Sequence, residues 1–200
     1  MCGIFAFTGR EPDRALLEQA ALGAGRRGPH GWGWAARNDD RPLVAHHYTV
    51  PLADSLDIVG DLSATAILGH ARLATVGDWR QHDQLQPIVV AGYALAHNGV
   101  IRNADQLDPG HATDSIALAH AYARERTAGR HPYEALDKLV ATAEHEAWAI
   151  VVLDTNGALY ANRHYHPLYL HKSRGGVYLS SHRLTTGDEA LPPDQTIRIQ

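Results

Sequence analysis

The chain has 200 residues, of which 44% are hydrophobic and 20% charged. This composition is typical of a folded globular protein and excludes disordered, collagen-like and coiled-coil chains. The net charge of -4 comes without a basic stripe, which argues against binding to nucleic acid. No apolar run approaches the roughly 20 residues that a membrane helix needs, and charged residues follow the first apolar stretch too early for a signal peptide. We therefore expect a cytoplasmic protein with neither membrane nor nucleic acid as partner.

The first hundred residues predict short strands with one helix between them. Residues 2–8 predict a buried strand at the N-terminus itself. A helix is predicted from Pro12, in its first turn, to near Gly23 and Gly25, with Arg14 and Glu18 paired one turn apart. Further strands are predicted over 32–36, 43–48, 65–70, 88–90 and 93–97. The last of these is expected to end in a His97-Asn98-Gly99 turn.

The second half predicts two helices followed by a β-rich region. Thr113 is the expected N-cap of a helix over 114–126, and a second helix follows Pro132. Consecutive hairpins of a meander are predicted from strands over 149–153, 158–162, 168–171, 177–180 and 196–199. Neither a repeat nor a linker divides the chain. We therefore predict one α+β domain over residues 1–200, with antiparallel sheets and a helical pair inserted at about 113–145.

Cys2 is the only cysteine, so it can form neither an internal disulfide nor a cysteine-rich zinc site. Two interpretations of this residue stay open. A free cysteine is commonly a small buried hydrophobe. If Met1 is removed, however, Cys2 carries both a thiol and an α-amine, whose ordinary pKa of about 8 allows it to act as a base near neutral pH.

Several motifs resemble those of a known family. In chain order they cover residues 1–6, 27–33, 69–75, 97–103 and 113–115. Together these motifs resemble the class II glutamine amidotransferase domain, whose members are N-terminal-nucleophile hydrolases. Arg163, residues 167–169 and the Ser180-Ser181 pair resemble the closing hairpins of that domain, so the likeness covers nearly the whole chain.

The resemblance implies a four-layer α-β-β-α sandwich built on two antiparallel sheets. It also implies hydrolysis of the γ-amide of glutamine by Cys2, giving glutamate and ammonia through a thioester. The chemistry needs hydrogen-bond donors to an oxyanion, and the resemblance implies this role for Asn98 and Gly99. The alternative is that these two residues only form a hairpin turn. It implies no cofactor.

Three further residues match the positions with which the family holds its substrate. Arg72 is expected to bind the α-carboxylate of glutamine and Asp114 its α-ammonium, while Thr75 matches a substrate-contacting position. The alternatives without a functional role are that Arg72 is a surface arginine and that Asp114 only stabilises the first turn of its helix, where the helix dipole favours a negative charge.

The sequence departs from the family pattern at two places. Leu73 stands where aminosugar synthases of the family carry tryptophan, although the 97–101 segment looks more like that subfamily. Gln84-Leu85-Gln86-Pro87-Ile88 occupies the place of the family's Asn-x-His-Pro-Phe, so both polar residues of that motif have changed. The fourteen histidines form neither a His-x-x-x-His pair nor a cysteine–histidine cluster, so we expect no metal site.

Two hundred residues leave no room for a synthetase domain beside this one. We therefore expect the ammonia to be supplied to a separate synthetase subunit. One alternative is a γ-glutamyl amide hydrolase that acts alone, and another is a non-catalytic regulatory or binding subunit. Because an acylated nitrogen cannot act as a base, we also expect that Met1 must be removed, and that a retained Met1 lies in or over the glutamine site.

Overall fold

The computed structural model describes residues 1–38, 41–73 and 80–200. These residues form two antiparallel sheets. The larger sheet has the order β11 (Glu189–Ala190), β9 (Tyr169–Lys172), β10 (Gly176–Ser180), β1 (Gly3–Gly9), β4 (Ala66–Arg72), β2 (Gly31–Arg37) and β3 (Val44–Tyr48). The smaller sheet has the order β12 (Ile197–Ile199), β8 (Leu159–Arg163), β7 (Trp148–Leu153), β6 (Tyr93–Gly99) and β5 (Ile88–Val90).

The helices cover the outer faces of the two sheets. They are α1 (Arg14–Arg27), α2 (Leu56–Gly60), α3 (Ala104–Leu107), α4 (Asp114–Thr127) and α5 (Pro132–Thr142). One apolar core fills the space between the sheets, a second joins α1 to the larger sheet, and a third joins α4 and α5 to the smaller sheet. The layers therefore follow the order α-β-β-α, which confirms the expected α+β sandwich.

The first helix begins and ends later than the sequence predicts, so Pro12 lies before the helix and not in its first turn. It starts after Asp13, whose carboxylate accepts the Leu16 N–H, and it continues through Gly23 and Gly25. Gly23 therefore does not end the helix. Its lack of a side chain makes room for the ring of His182, which would lie 1.6 Å from a Cβ at this position. The predicted Arg14–Glu18 pair is confirmed, with 2.8 Å between Nε and Oε1.

Strand β6 continues through Asn98 and Gly99 instead of ending at His97. The expected turn is therefore wrong, and so is a hairpin turn as their alternative role. The reason is pairing along the whole of β7, in which Gly99 lies opposite Trp148. A sequence of this type favours a turn locally, but here pairing with the neighbouring strand keeps it extended.

The C-terminal strands do not form one continuous meander. β7 and β8 are a hairpin in the smaller sheet, whereas β9 and β10 are a hairpin in the larger sheet, and β12 returns to pair with β8. The short elements α2, α3 and β11 were not predicted, because they have too few residues for a periodic pattern. Over the described residues, no helix is both long and apolar enough to cross a bilayer.

Candidate active site

Cys2 lies immediately before β1, where the central strands of the larger sheet hold it close to the end of β4. The Leu73 N–H points at its Sγ from 3.3 Å, and the thiol lies 3.6 Å from the Leu73 carbonyl oxygen. Arg27 Nε donates to the Cys2 carbonyl oxygen at 2.9 Å. Burial raises the pKa of the thiol, and the Leu73 contact, the N-terminal amine and Arg72 only partly offset this effect. At neutral pH the thiol is therefore protonated and needs a base.

Met1 precedes this thiol and is largely exposed, and its sulfur lies 3.7 Å from Arg27 Nη2. It lines a cavity together with Cys2, Asn98 and Gly99. While Met1 is attached, the nitrogen of Cys2 belongs to a peptide bond and its lone pair is delocalised. The nitrogen that could serve Cys2 as a base is therefore blocked in this form of the chain.

Asn98 and Gly99 end β6 opposite Cys2. Asn98 is buried, and its Oδ1 has no hydrogen-bond partner among the described residues. Its Nδ2 lies 3.5 Å from Ser181 Oγ, which accepts the Ile4 N–H at 2.8 Å and so links this side chain to β1. Gly99 has φ +144°, and a Cβ there would lie 2.6 Å from the Ala147 carbonyl oxygen, so only glycine fits.

Arg72 and Asp114 meet at a small cavity beside the thiol. Arg72 is buried at the end of β4, and its Nη1 donates to the Gln84 carbonyl oxygen at 2.7 Å. Asp114 is the first residue of α4, and its carboxylate accepts the N–H groups of Ile101 and Ser115, both at 2.9 Å. Opposite charges thus line one space with Cys2. Thr75 lies outside the described residues.

Two cavities adjoin Cys2 and differ greatly in size. The one lined by Arg72 and Asp114 has a volume of about 40 Å³. The other has a volume of about 380 Å³, and Met1, Asn98 and Ala147 are among its walls. Gly99 and Val100 line both, so the end of β6 separates a small charged space from a larger and more apolar one.

Known proteins resemble this chain in sequence and in fold. No model of a protein family matches the chain. Glutamine–fructose-6-phosphate aminotransferases from Mycolicibacterium paratuberculosis and Rhizobium meliloti are each 28% identical to it over 90% of its length. The alignments cover only 32% and 31% of those two proteins, so the chain spans about a third of their length.

Solved structures show the same fold at lower sequence identity. The glutamine phosphoribosylpyrophosphate amidotransferase of B. subtilis superposes with a TM-score of 0.76 at 20% identity, over 98% of this chain and 48% of that one. A class-II glutamine aminotransferase domain protein from Silicibacter pomeroyi gives 0.68 at 18% identity, over 98% of both chains.

The chain resembles class II glutamine amidotransferase domains in sequence and in fold.

One connection beside the candidate site was not predicted from the sequence residue by residue. Gln86 is buried, and its Oε1 accepts the His97 N–H at 2.6 Å while its Nε2 donates to Ser115 Oγ at 3.0 Å. Gln86 therefore connects the strand that ends in Asn98 and Gly99 to the helix that begins with Asp114. The available signal was the departure from the family's Asn-x-His-Pro pattern at this place.

His97 lies at the centre of the same connection. Its Nδ1 is 3.2 Å from Ser115 Oγ, and its Nε2 has no hydrogen-bond partner among the described residues. Burial lowers the pKa of His97 to about 4, against the opposing effect of Asp114. His70 on β4 is also fully buried, and burial lowers its pKa to about 3. Both rings are neutral at physiological pH.

Proposed function

We propose that this domain hydrolyses the γ-amide of glutamine to glutamate and ammonia, with Cys2 as nucleophile. The observation that carries the proposal is the arrangement around one sulfur atom. A half-buried thiol lies beside Asn98 and Gly99 on one side and beside a pair of opposite charges on the other. Glutamine needs both, because it carries an amide to be attacked and two charged groups to be recognised.

Removal of Met1 makes the chemistry possible by freeing the α-amine of Cys2. This amine takes the proton of the thiol, and the thiolate then attacks the γ-carbonyl carbon of glutamine. The oxygen of the tetrahedral intermediate accepts hydrogen bonds from Asn98 Nδ2 and the Gly99 N–H. Collapse of the intermediate breaks the C–N bond, and the protonated α-amine gives its proton to the departing nitrogen. Ammonia departs, and a γ-glutamyl thioester remains on Cys2.

Hydrolysis of the thioester completes the turnover. The same α-amine accepts a proton from water as the water oxygen attacks the thioester carbonyl, and the oxyanion is held by the same two donors. The C–S bond then breaks, and the sulfur takes up that proton. One glutamine and one water thus give one glutamate and one ammonia, and the thiol is restored.

Arg72 and Asp114 position the substrate in this proposal. The guanidinium of Arg72 faces the α-carboxylate of glutamine, and the carboxylate of Asp114 faces its α-ammonium. Asp114 is already oriented by two backbone N–H groups, so binding a cation costs it little reorganisation. Thr75 is proposed as a further substrate contact, since it matches the corresponding family position.

The ammonia acceptor lies outside residues 1–200, which we propose to act as one catalytic domain. The two curated relatives are named as aminotransferases and are about three times as long as the aligned region. We propose that this domain likewise supplies ammonia, to a separate synthetase subunit. We propose the cytoplasm as the location of the protein, because that compartment keeps a free thiol reduced.

A second candidate function is hydrolysis of larger γ-glutamyl amides. It is favoured by the cavity of about 380 Å³ next to Asn98 and Gly99, which has far more room than a leaving ammonia molecule needs. In such a substrate the α-carboxylate and α-ammonium face Arg72 and Asp114, as in glutamine. The amine that leaves occupies the larger cavity.

Glutamate and ammonia release from glutamine test the proposal directly. The protein is prepared with Cys2 as its first residue, verified by intact mass, and compared with Cys2→Ala. We expect turnover in the first and only the background rate in the second, with equal thermal stability. Release of amine from γ-glutamyl-p-nitroanilide but none of ammonia from glutamine favours the second function, and inactivity toward both indicates a non-catalytic subunit.

A further inference from the structure

Three side chains from α4 and the connection before it form a group that the proposed reaction does not use. Within residues 1–38, 41–73 and 80–200, Asp108, His111 and His120 are the one set of at least three potential metal ligands whose ligand atoms lie within 4.8 Å of one another. All three are partly buried. The cluster lies in the α3–α4 connection and on α4, among residues that do not line either cavity at Cys2.

The contacts aim all three ligands at one place. His111 Nε2 is in direct contact with Asp108 Oδ2, and His120 Nδ1 lies 3.4 Å from the same oxygen. The two imidazole rings lie side by side, with 4.2 Å between their centroids. Two atoms that bind one Zn²⁺ at about 2.1 Å each in a tetrahedral site lie about 3.4 Å apart. His120 Nδ1 and Asp108 Oδ2 already have this separation, whereas the half-buried His111 must rotate away from Asp108 to admit the ion.

Arg124 holds the carboxylate in a suitable orientation. Its Nη1 donates to Asp108 Oδ1 at 2.7 Å, which leaves Oδ2 facing the two histidines. Hydrogen bonds of this kind to a ligating carboxylate are common around protein metal sites, where they fix the ligand and tune its charge. Arg124 also donates to the Leu107 carbonyl oxygen, so the end of α3 is fixed on α4 by the same side chain.

We propose that Asp108, His111 and His120 bind one Zn²⁺ ion. Two imidazole nitrogens and one carboxylate oxygen are ligands that Zn²⁺ favours, and a water molecule completes the four-coordinate site. The ion ties the α3–α4 connection to α4 just before Thr113 and Asp114, with which α4 begins. The spacing of these three residues along the chain matches none of the common zinc motifs, so the sequence alone favoured no metal site here.

Zinc titration by calorimetry, on full-length chain treated with a chelator and dialysed, tests the site. The Cys2→Ala background is used so that the thiol contributes no zinc binding. We expect one saturable site per chain, and at least about 10-fold weaker binding in His111→Ala and in His120→Ala. His131→Ala is the matched control, since His131 is exposed and lies outside the cluster, and it should bind as the background does.

Thermal unfolding gives an independent readout. Zinc should raise the melting temperature of the background and of His131→Ala in a concentration-dependent way, and should do so far less in the two cluster variants. Circular dichroism checks the fold, and glutamine replaces alanine at either position if an alanine variant is unfolded. Equal zinc affinity in all variants, or no saturable binding, overturns the proposal.

Discussion

The two cavities that meet at Cys2 differ in how their polar groups are held. In the small one, both oxygens of Asp114 accept backbone N–H groups and Arg72 donates to a backbone carbonyl, so the charges are fixed before substrate arrives. In the larger one, Asn98 Oδ1 has no partner among the described residues, and much of the wall is apolar. Fixed charges are suited to recognising a substrate, whereas an open apolar wall is suited to a group that must leave.

Blocking the N-terminus should have the largest effect, because the proposed reaction depends on the free α-amine of Cys2. A chain whose N-terminal tag is still attached should be inactive, because the nitrogen of Cys2 is then an amide. Proteolysis that leaves Cys2 first should restore turnover. Ammonia release and intact mass on the same samples provide the measurement, and undiminished activity of the tagged chain would falsify the N-terminal-nucleophile mechanism.

Asn98→Ala tests the wall of the larger cavity. Loss of one oxyanion donor lowers kcat by a factor on the order of 10²–10³, or about 2.7–4 kcal/mol, with little change in KM for glutamine. Asn103→Ala is a matched control, since Asn103 is also buried but bonds to Thr142 and Glu144 away from both cavities. It should lower stability without a comparable loss of kcat. A higher KM with unchanged kcat in Asn98→Ala would argue against the oxyanion role.

Asp114→Asn tests the small cavity. A hydrogen bond to a charged group contributes about 1.5–3 kcal/mol, so kcat/KM for glutamine should fall by roughly 10- to 150-fold. The substitution keeps a carbonyl oxygen that can accept one backbone N–H, which favours an intact fold. Wild type should prefer glutamine to an analogue without the α-ammonium, and the variant should lose most of that preference. An equal preference in both proteins would show that Asp114 has another role.

The smallest expected effect is a change in the free energy of unfolding with pH, caused by two buried histidines, His70 and His97. Burial lowers the pKa of His97 to about 4 and that of His70 to about 3, below the about 6.5 of an unfolded histidine. Between these values the unfolded chain binds more protons than the folded one. The free energy of unfolding should therefore fall by about 1.4 kcal/mol per pH unit for each histidine as the pH drops below 6.5.

Urea unfolding at several pH values between 7 and 5 measures this slope. His70→Gln should be less stable at neutral pH but should lose stability less steeply on acidification. His131→Gln, at an exposed position, should keep the wild-type slope. A wild-type curve that is flat over this range would mean that the histidines are protonated in the folded state.

Elements with many residues of regular pattern were predictable from the sequence. The α4 and α5 helices, with Thr113 as N-cap and Pro132 at the first turn, lie where the sequence places them. Strand β1 begins at Gly3, one residue after the start of the strand that the sequence predicts over residues 2–8. These features depend on local periodicity and capping, which a single sequence contains.

The arrangement at the site was decided by contacts between distant segments. His97, Asn98 and Gly99 suggest a turn when read alone, yet β7 holds them in a strand. Gly23 suggests a helix end, yet the ring of His182 makes it a packing position within α1. Gln86 became visible as a connection between β6 and α4 only once both partners were in place.

The sequence by itself determined which residue types are available for the reaction: one thiol next to the N-terminus, an asparagine–glycine pair, an arginine and an aspartate in ordered motifs. Only the tertiary structure decided that Cys2, from one sheet, lies beside Gly99, from the other, with a small charged cavity and a larger apolar one at the same sulfur. The physical reason is that strand pairing and sheet packing join residues far apart in sequence. Those energies depend on the assembled neighbours and not on local pattern.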